Sequence, residues 1–196
     1  MYLYGASGHA KVIMDILREN GIEVNALIDD NPGVNELQGK PVLHAYSGES
    51  PLILSIGSNR VRKMLDEQLV VSFAQAISPC SIVSSSAIIG EGSVVMQGAI
   101  LQTEVKVGRH CIVNTGASID HECKIGDYVH LSPHSTICGG SEIGEGTWVG
   151  AGAVVIQCVK VGKWSVIGAG SVVINDIPDG VLAVGNPARI IRKING

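Results

Sequence analysis

Six histidines occur in the 196 residues, and four of them, His110, His121, His130 and His134, fall in the second half of the chain. His121 differs from the others by its neighbours, Ile119-Asp120-His121-Glu122-Cys123. A carboxylate beside an imidazole, here Glu122 or Asp120, can orient the ring and raise its basicity, which is what a general base requires. Consecutive residues of a strand point in different directions, so adjacency alone does not make the contact. His130 follows nine residues later. A histidine on a polar surface is usually inert, and His134 reads that way.

A second candidate lies at the N-terminus. Tyr2-Leu3-Tyr4 reads as a short strand, Gly5-Ala6-Ser7-Gly8-His9 as a loop, and residues 10–20 carry Val12, Ile13, Ile16 and Leu17 at helical spacing. Strand, glycine loop and helix start together make a phosphate site, with free N–H groups at the positive end of the helix dipole. The loop is G-x-x-G-H and lacks the full dinucleotide fingerprint. Asp29 comes 21 residues after Gly8, at the end of the next strand, Val24 to Ile28. An acid there can meet a hydroxylated ligand. Gly57 closes a third strand, Leu52 to Ile56, and is placed to approach the same ligand. The competing reading makes Gly5 and Gly8 a plain turn and Asp29-Asp30-Asn31-Pro32-Gly33 a solvated one.

Composition removes several classes of function. Net charge is −4, which argues against a nucleic-acid surface. No apolar run reaches the length of a membrane span. Met1 to Tyr4 run into a glycine loop without a basic stretch, so no signal peptide is expected and a cytoplasmic location is. Five cysteines, an odd number with no C-x-x-C, argue against a disulfide framework or a zinc site and for reduced thiols.

A repeat positions the histidines. Stepping by six from Ile77 to Val173 gives seventeen positions, and every one is Ile, Val or Leu. Ile89-Gly90, Val107-Gly108, Ile125-Gly126, Ile143-Gly144 and Val161-Gly162 recur every eighteen residues. Three hexads therefore make one coil, and the aliphatic residues stack inward in a three-sided solenoid. Positions two before each aliphatic are mostly small, and Cys111 and Cys123 fall among them. They read as buried small hydrophobes. The N-terminal segment can cover one end of the solenoid and residues near 178–194 the other. Three units follow: an α/β unit over 1–75, the solenoid over 76–177 and a cap over 178–196.

Within that frame His121 and His130 are half a coil apart, so they project from different parts of one chain's cross-section. A single site using both is most easily built by two subunits. Position 139, one coil above His121, is glycine, which predicts room over the imidazole for a ligand. Trp148, one coil above His130, either walls the same groove or packs between chains. Arg189, Arg192 and Lys193 form either a basic tail or a phosphate contact.

Together these motifs carry a family resemblance. Tyr4-Gly5-Ala6-Ser7-Gly8-His9, Asp29-Asp30, Ser55-Ile56-Gly57-Ser58-Asn59, Ile119 to Cys123, His130 and Val184-Gly185-Asn186-Pro187-Ala188-Arg189 span both ends of the chain. The chain resembles the sialic-acid O-acetyltransferase-like branch of the hexapeptide-repeat acyltransferases. Within it, bacterial UDP-4-amino-sugar N-acetyltransferases of the bacillosamine type are the nearest in pattern, and perosamine N-acetyltransferases share the plan. The resemblance implies a left-handed parallel β-helix, an exception to the usual crossover hand. It implies acetyl-CoA as cosubstrate, no metal, and a homotrimer with acetyl-CoA between neighbouring helices. Gly8, His9, Ala10, Asp29, Asp30 and Gly57 would contact the nucleotide sugar. His121 would be the base, with Glu122 increasing its basicity, and His130, Ala151 and Ala169 would contact acetyl-CoA. The expected reaction is direct transfer to the sugar amine, since Cys123 faces inward and no other cysteine adjoins His121. O-acetylation, a GDP-linked acceptor, or a scaffold without catalysis are the alternatives. The scaffold would need neither the His121-Glu122 pair nor the N-terminal loop.

Overall fold

The computed structural model describes residues 1–194. The last two residues of the expected C-terminal cap, Asn195 and Gly196, lie outside the described residues.

Three of the N-terminal strands, Tyr2–Tyr4, Ala26–Ile28 and Leu52–Leu54, are apolar because both faces are covered. Strands β1 (Tyr2–Tyr4), β2 (Ala26–Ile28), β3 (Glu36–Leu37), β4 (Lys40–Leu43) and β5 (Leu52–Leu54) form one sheet in the order β3-β4-β2-β1-β5. All pairs are parallel except the β3–β4 hairpin. That hairpin is absent from the sequence reading. Its turn, Gln38-Gly39, has both φ angles positive, the geometry of a tight two-residue loop. Helix α1 (Gly8–Glu19) buries Ala10, Ile13, Met14, Ile16 and Leu17 along one stripe. Helix α2 (Asn59–Gln68) is polar, with Leu65 its only buried apolar residue, and holds to the solenoid by hydrogen bonds instead.

From Ala76 to Val173 the chain makes two-residue strands every six residues, arranged in three parallel sheets. Each strand pairs in register with the one eighteen residues on, as Leu101 does with Ile119 and Ile119 with Ile137. The aliphatic frame forms one continuous core from Val95 to Ala183. Inward serines and threonines in that core reach the next coil's carbonyls, as Ser141 Oγ does to Ile156 O at 2.8 Å. Cys111 lies fully buried, and burial pushes its thiol up to about 12, so it behaves as a packing residue. The eighteen-residue glycines have a steric cause. A Cβ on Gly90 would sit 2.5 Å from the backbone of Gly108 in the next coil.

From residue 92 to residue 170 each corner places one residue in the left-handed region. Glycine fills many of these positions, but Glu104, His110, Glu122, Tyr128, His134, Cys158 and Trp164 take φ of 50–60° there. For a residue with a side chain this conformation costs about 1–2 kcal/mol. Such strain persists where surrounding contacts or a function hold it.

The α/β unit does more than cover the solenoid's first end. Its core runs through α1 into Ala76, Val94, Met96 and Ile112 on one outer face. Along the adjoining corner, α2 reaches as far as Gly146, where Asn59 Nδ2 donates to the carbonyl at 3.0 Å. At the other end, Val181–Val184 pairs with Val166–Ile167, and Arg189–Lys193 folds back antiparallel on it.

Candidate active site

His121 stands on a corner between the strands Ser118–Ile119 and Lys124–Ile125. Its Nδ1 lies 3.0 Å from Glu122 Oε2. A carboxylate accepts only, so Nδ1 carries the proton of the neutral ring and Nε2 presents its lone pair outward. Asp120 Oδ1 accepts the His121 N–H at 2.8 Å, and Asp120 Oδ2 lies 3.9 Å from Nε2. The imidazole is half exposed, so Nε2 is open to a partner. Glu122 reaches Nδ1 because its backbone is left-handed, φ 60°. Gly139 serves a different end from the one expected. A Cβ there would lie 2.6 Å from the imidazole, so this glycine makes room for His121 itself, and a ligand must approach from another side.

A second constellation lies between the α/β unit and the solenoid. Ser7 precedes α1 without a side-chain cap, leaving the first N–H groups of the helix free of one. Open space surrounds the position a Cβ would take on Gly8 and on Gly57. Asp29 braces the loop, its Oδ2 accepting from Ala6 N at 2.7 Å and its Oδ1 from Asn31 N at 2.9 Å. Asp30 accepts from the Tyr4 hydroxyl at 3.0 Å. The Ala10 methyl is packed in the core, so only its backbone can face a ligand.

Across from this loop stands His130, stacked on Trp148 at 5.3 Å. Trp148 is fixed in turn by its indole N–H, which donates to Ser132 Oγ at 2.7 Å. His130, Trp148 and Trp164 line a cavity of about 410 Å³ with Gly57, Ser58 and Arg60 at the start of α2. Burial, then the charge of Arg62, lowers His9 to about 4. Burial, then Arg62 and His9, lowers His130 to about 3. Both rings are therefore neutral at pH 7. His9 Nε2 and His130 Nδ1 are buried without a partner.

Arg62 was invisible in the sequence, yet it ties this constellation together. Its side chain is fully buried and donates to five acceptors: the carbonyls of Ile56, Gly57, His110 and Tyr128, and Asn59 Oδ1. Burial lowers it only to about 10, so it remains a cation. A turn further along α2, Asp66 accepts from Arg109, His110 and the Tyr128 hydroxyl. No local pattern marks Asp66, whose three partners lie 43 to 62 positions away.

The third expected group, Ala151 and Ala169, occupies the remaining corner. Gly170 N donates to Ala151 O at 2.8 Å, so the two alanines stack one coil apart. Both are exposed, with open space at the adjoining Gly152 and Gly170. Within one chain the sites thus fall into separate groups: His121 with Glu122, the loop with Gly57 and His130, and the alanine column. No group contains a metal cluster among the described residues.

Comparisons with known proteins fit this layout. Residues 1–69 match the PglD N-terminal domain, and residues 104–139 and 140–175 match the bacterial transferase hexapeptide family (six repeats). Over 107 residues the chain is 42% identical to UDP-N-acetylbacillosamine N-acetyltransferase of Bacillus subtilis, covering 48% of this chain and 50% of that protein. Curated relatives are matched over half of their own length or less. Solved structures match throughout. A histidine-to-asparagine mutant of perosamine N-acetyltransferase from Caulobacter crescentus, in complex with CoA and GDP-perosamine, is 37% identical with a TM-score of 0.92, covering 98% of this chain and 96% of that one. The acetyltransferase domain of PglB from Neisseria gonorrhoeae, in complex with acetyl coenzyme A, is 36% identical with a TM-score of 0.91, covering 97% and 98%. With a PglD-type α/β unit leading into hexapeptide coils, and near-complete overlap with these enzymes, the chain belongs to the PglD-like family of hexapeptide-repeat acetyltransferases.

Proposed function

We propose that the protein transfers the acetyl group of acetyl-CoA to the amino group of a nucleotide-linked sugar, with a UDP-4-amino-4,6-dideoxy sugar as acceptor. The observation that carries this is His121, held by Glu122 at Nδ1 with Nε2 open. The amine attacks the thioester carbon, and His121 Nε2 takes a proton from the attacking nitrogen. The carbon–sulfur bond then breaks, and the proton passes to the departing thiolate. A backbone N–H is the natural donor to the developing oxyanion.

In this reading the N-terminal loop holds the nucleotide. The free N–H groups at the start of α1 receive phosphate, and Gly8, His9, Ala10 and Gly57 line its path. Asp29 and Asp30 fix the loop or meet the ligand's hydroxyls. His130, Ala151 and Ala169 contact acetyl-CoA, the alanines through their backbones. The neutral ring of His130, stacked on Trp148, supports an uncharged contact. Since His121 and the loop occupy separate places on one chain, the working site needs two chains. A homotrimer in the cytoplasm is the proposed form. The proposed division of the chain keeps the α/β unit at 1–75, the β-helix at 76–177 and the cap at 178–196.

A GDP-linked acceptor is the second reading, favoured by the perosamine N-acetyltransferase complexes with GDP-perosamine. Thermal-shift titration with acetyl-CoA, then with UDP- and GDP-linked 4-amino sugars, separates the two. Stabilisation by acetyl-CoA and by the UDP sugar, followed by N-acetylated product, supports the proposal. A response to the GDP sugar alone selects the second reading. No response to acetyl-CoA overturns both.

A further inference from the structure

We propose that Asp120 is a catalytic residue that binds the acceptor as its ammonium ion and thereby selects amines over hydroxyls. The proposal rests on the N-acetyltransfer reading above. An aliphatic amine is an ammonium ion at neutral pH, so it must be bound as a cation and lose a proton before it can attack. Asp120 meets the first need. Its Oδ1 is committed to the His121 N–H at 2.8 Å, which fixes the carboxylate. Its Oδ2 points toward the same side as Nε2, 3.9 Å away, too far for a bond between them. Among the described residues no lysine or arginine pairs with Asp120, and its side chain is half exposed.

The gap has the size of one bridging nitrogen. A nitrogen about 2.8 Å from both Oδ2 and Nε2 would subtend an angle of about 90°, within the bending range of two N–H bonds on one ammonium. Glu122 cannot take this role, because it is engaged at Nδ1 on the other edge of the ring. An ammonium ion has three N–H donors and can satisfy both acceptors. A hydroxyl has one O–H and satisfies either Asp120 or His121, leaving the other acceptor bare. Asp120 also bounds a cavity of about 230 Å³ with Ser118, Thr136, Gln102 and Cys138, which gives the acceptor space beside its carboxylate.

The protons balance. One leaves the ammonium for His121 Nε2 and passes to solvent, and the free amine attacks the thioester carbon. The second leaves the attacking nitrogen for the emptied His121 Nε2 and passes to the departing CoA thiolate as the carbon–sulfur bond breaks. The net products are the amide, CoA thiol and one proton.

The test compares binding of the UDP-4-amino-4,6-dideoxy sugar with its 4-hydroxy counterpart, in the presence of CoA, by calorimetry. Wild type should favour the amine by about ten-fold or more, as a hydrogen bond to a charged group implies. Asp120→Asn keeps an oxygen for the His121 N–H but loses the charge. It should bring the ratio near one and raise KM for the amine more than it lowers kcat, with CoA affinity unchanged. Asp120→Ala should lose the ratio and also lower kcat, because the His121 backbone loses its acceptor. Retention of a ten-fold preference by a well-folded Asp120→Asn overturns the proposal, as does wild type binding both sugars equally. If wild type binds neither sugar and acetylates no nucleotide amino sugar, the functional reading itself falls.

Discussion

Two corners of the solenoid each carry an imidazole paired with a carboxylate. In one, Asp66 accepts from His110 Nε2 at 3.0 Å, and the side chains are 6% and 0% exposed. In the other, Glu122 faces His121 Nδ1 at the same distance, and the side chains are 63% and 53% exposed. His110 and Glu122 both occupy the left-handed corner position. The first pair also gathers Arg109 and Tyr128 and fastens α2 to the solenoid. His110 has no accessible nitrogen left, and its Nδ1 is buried. The second pair leaves Nε2 open. A histidine–carboxylate contact is thus a fastening when its second nitrogen is buried, and only one whose second nitrogen meets solvent has the geometry of a reagent.

Substitution separates the two roles most sharply at His121. His121→Ala should lower kcat about 100- to 10,000-fold, the usual worth of a general base, with an unchanged melting temperature. The buried pair should behave in the opposite sense. Asp66→Ala leaves Arg109, His110 and Tyr128 without their shared acceptor and should cost about 3 kcal/mol in denaturant unfolding. Activity of the remaining folded protein should stay close to wild type. A loss of kcat without a loss of stability in that variant would erase the distinction.

Acid should act on the buried imidazoles before the carboxylates. His9 and His130 are held at about 4 and about 3, below their ordinary 6.5, and burial lowers His110 as well. The unfolded chain then binds more protons than the folded one below pH 6.5. Stability is full above that value and declines as pH falls toward 3. Melting temperatures between pH 7 and 4 should show this slope, and His9→Gln should flatten it. The smallest expected effect is at Glu122. Replacement by glycine removes the left-handed strain and should stabilise the fold by about 1 kcal/mol while slowing turnover.

The sequence was most legible where contacts are local or periodic. The aliphatic frame from Ile77 to Val173 exposes the solenoid, since each coil repeats the same packing problem. His121 and Glu122 are neighbours, and a left-handed corner turns that adjacency into contact. Gly139 was misread because the pattern shows a gap but not which group fills it. The fastening of α2 is illegible for a different reason. Arg62 and Asp66 sit on a polar helix, and the solenoid groups they bind lie 43 to 66 residues away. Likewise nothing local joins His9 to His130 across the domain junction.

On the proposed reading, the exposed corner of one chain works with the junction cavity of another. Gly57→Arg should fold, because open space surrounds the position of its Cβ, and should fill the cavity. Alone, Gly57→Arg and His121→Ala should each be nearly inactive. Co-expressed under two tags and purified as mixed oligomers, they should recover about a quarter of wild-type activity, since random pairing leaves that share of sites with both halves intact. Mixed oligomers no more active than the two parents would place His121 and the cavity in sites within one chain and contradict the claim.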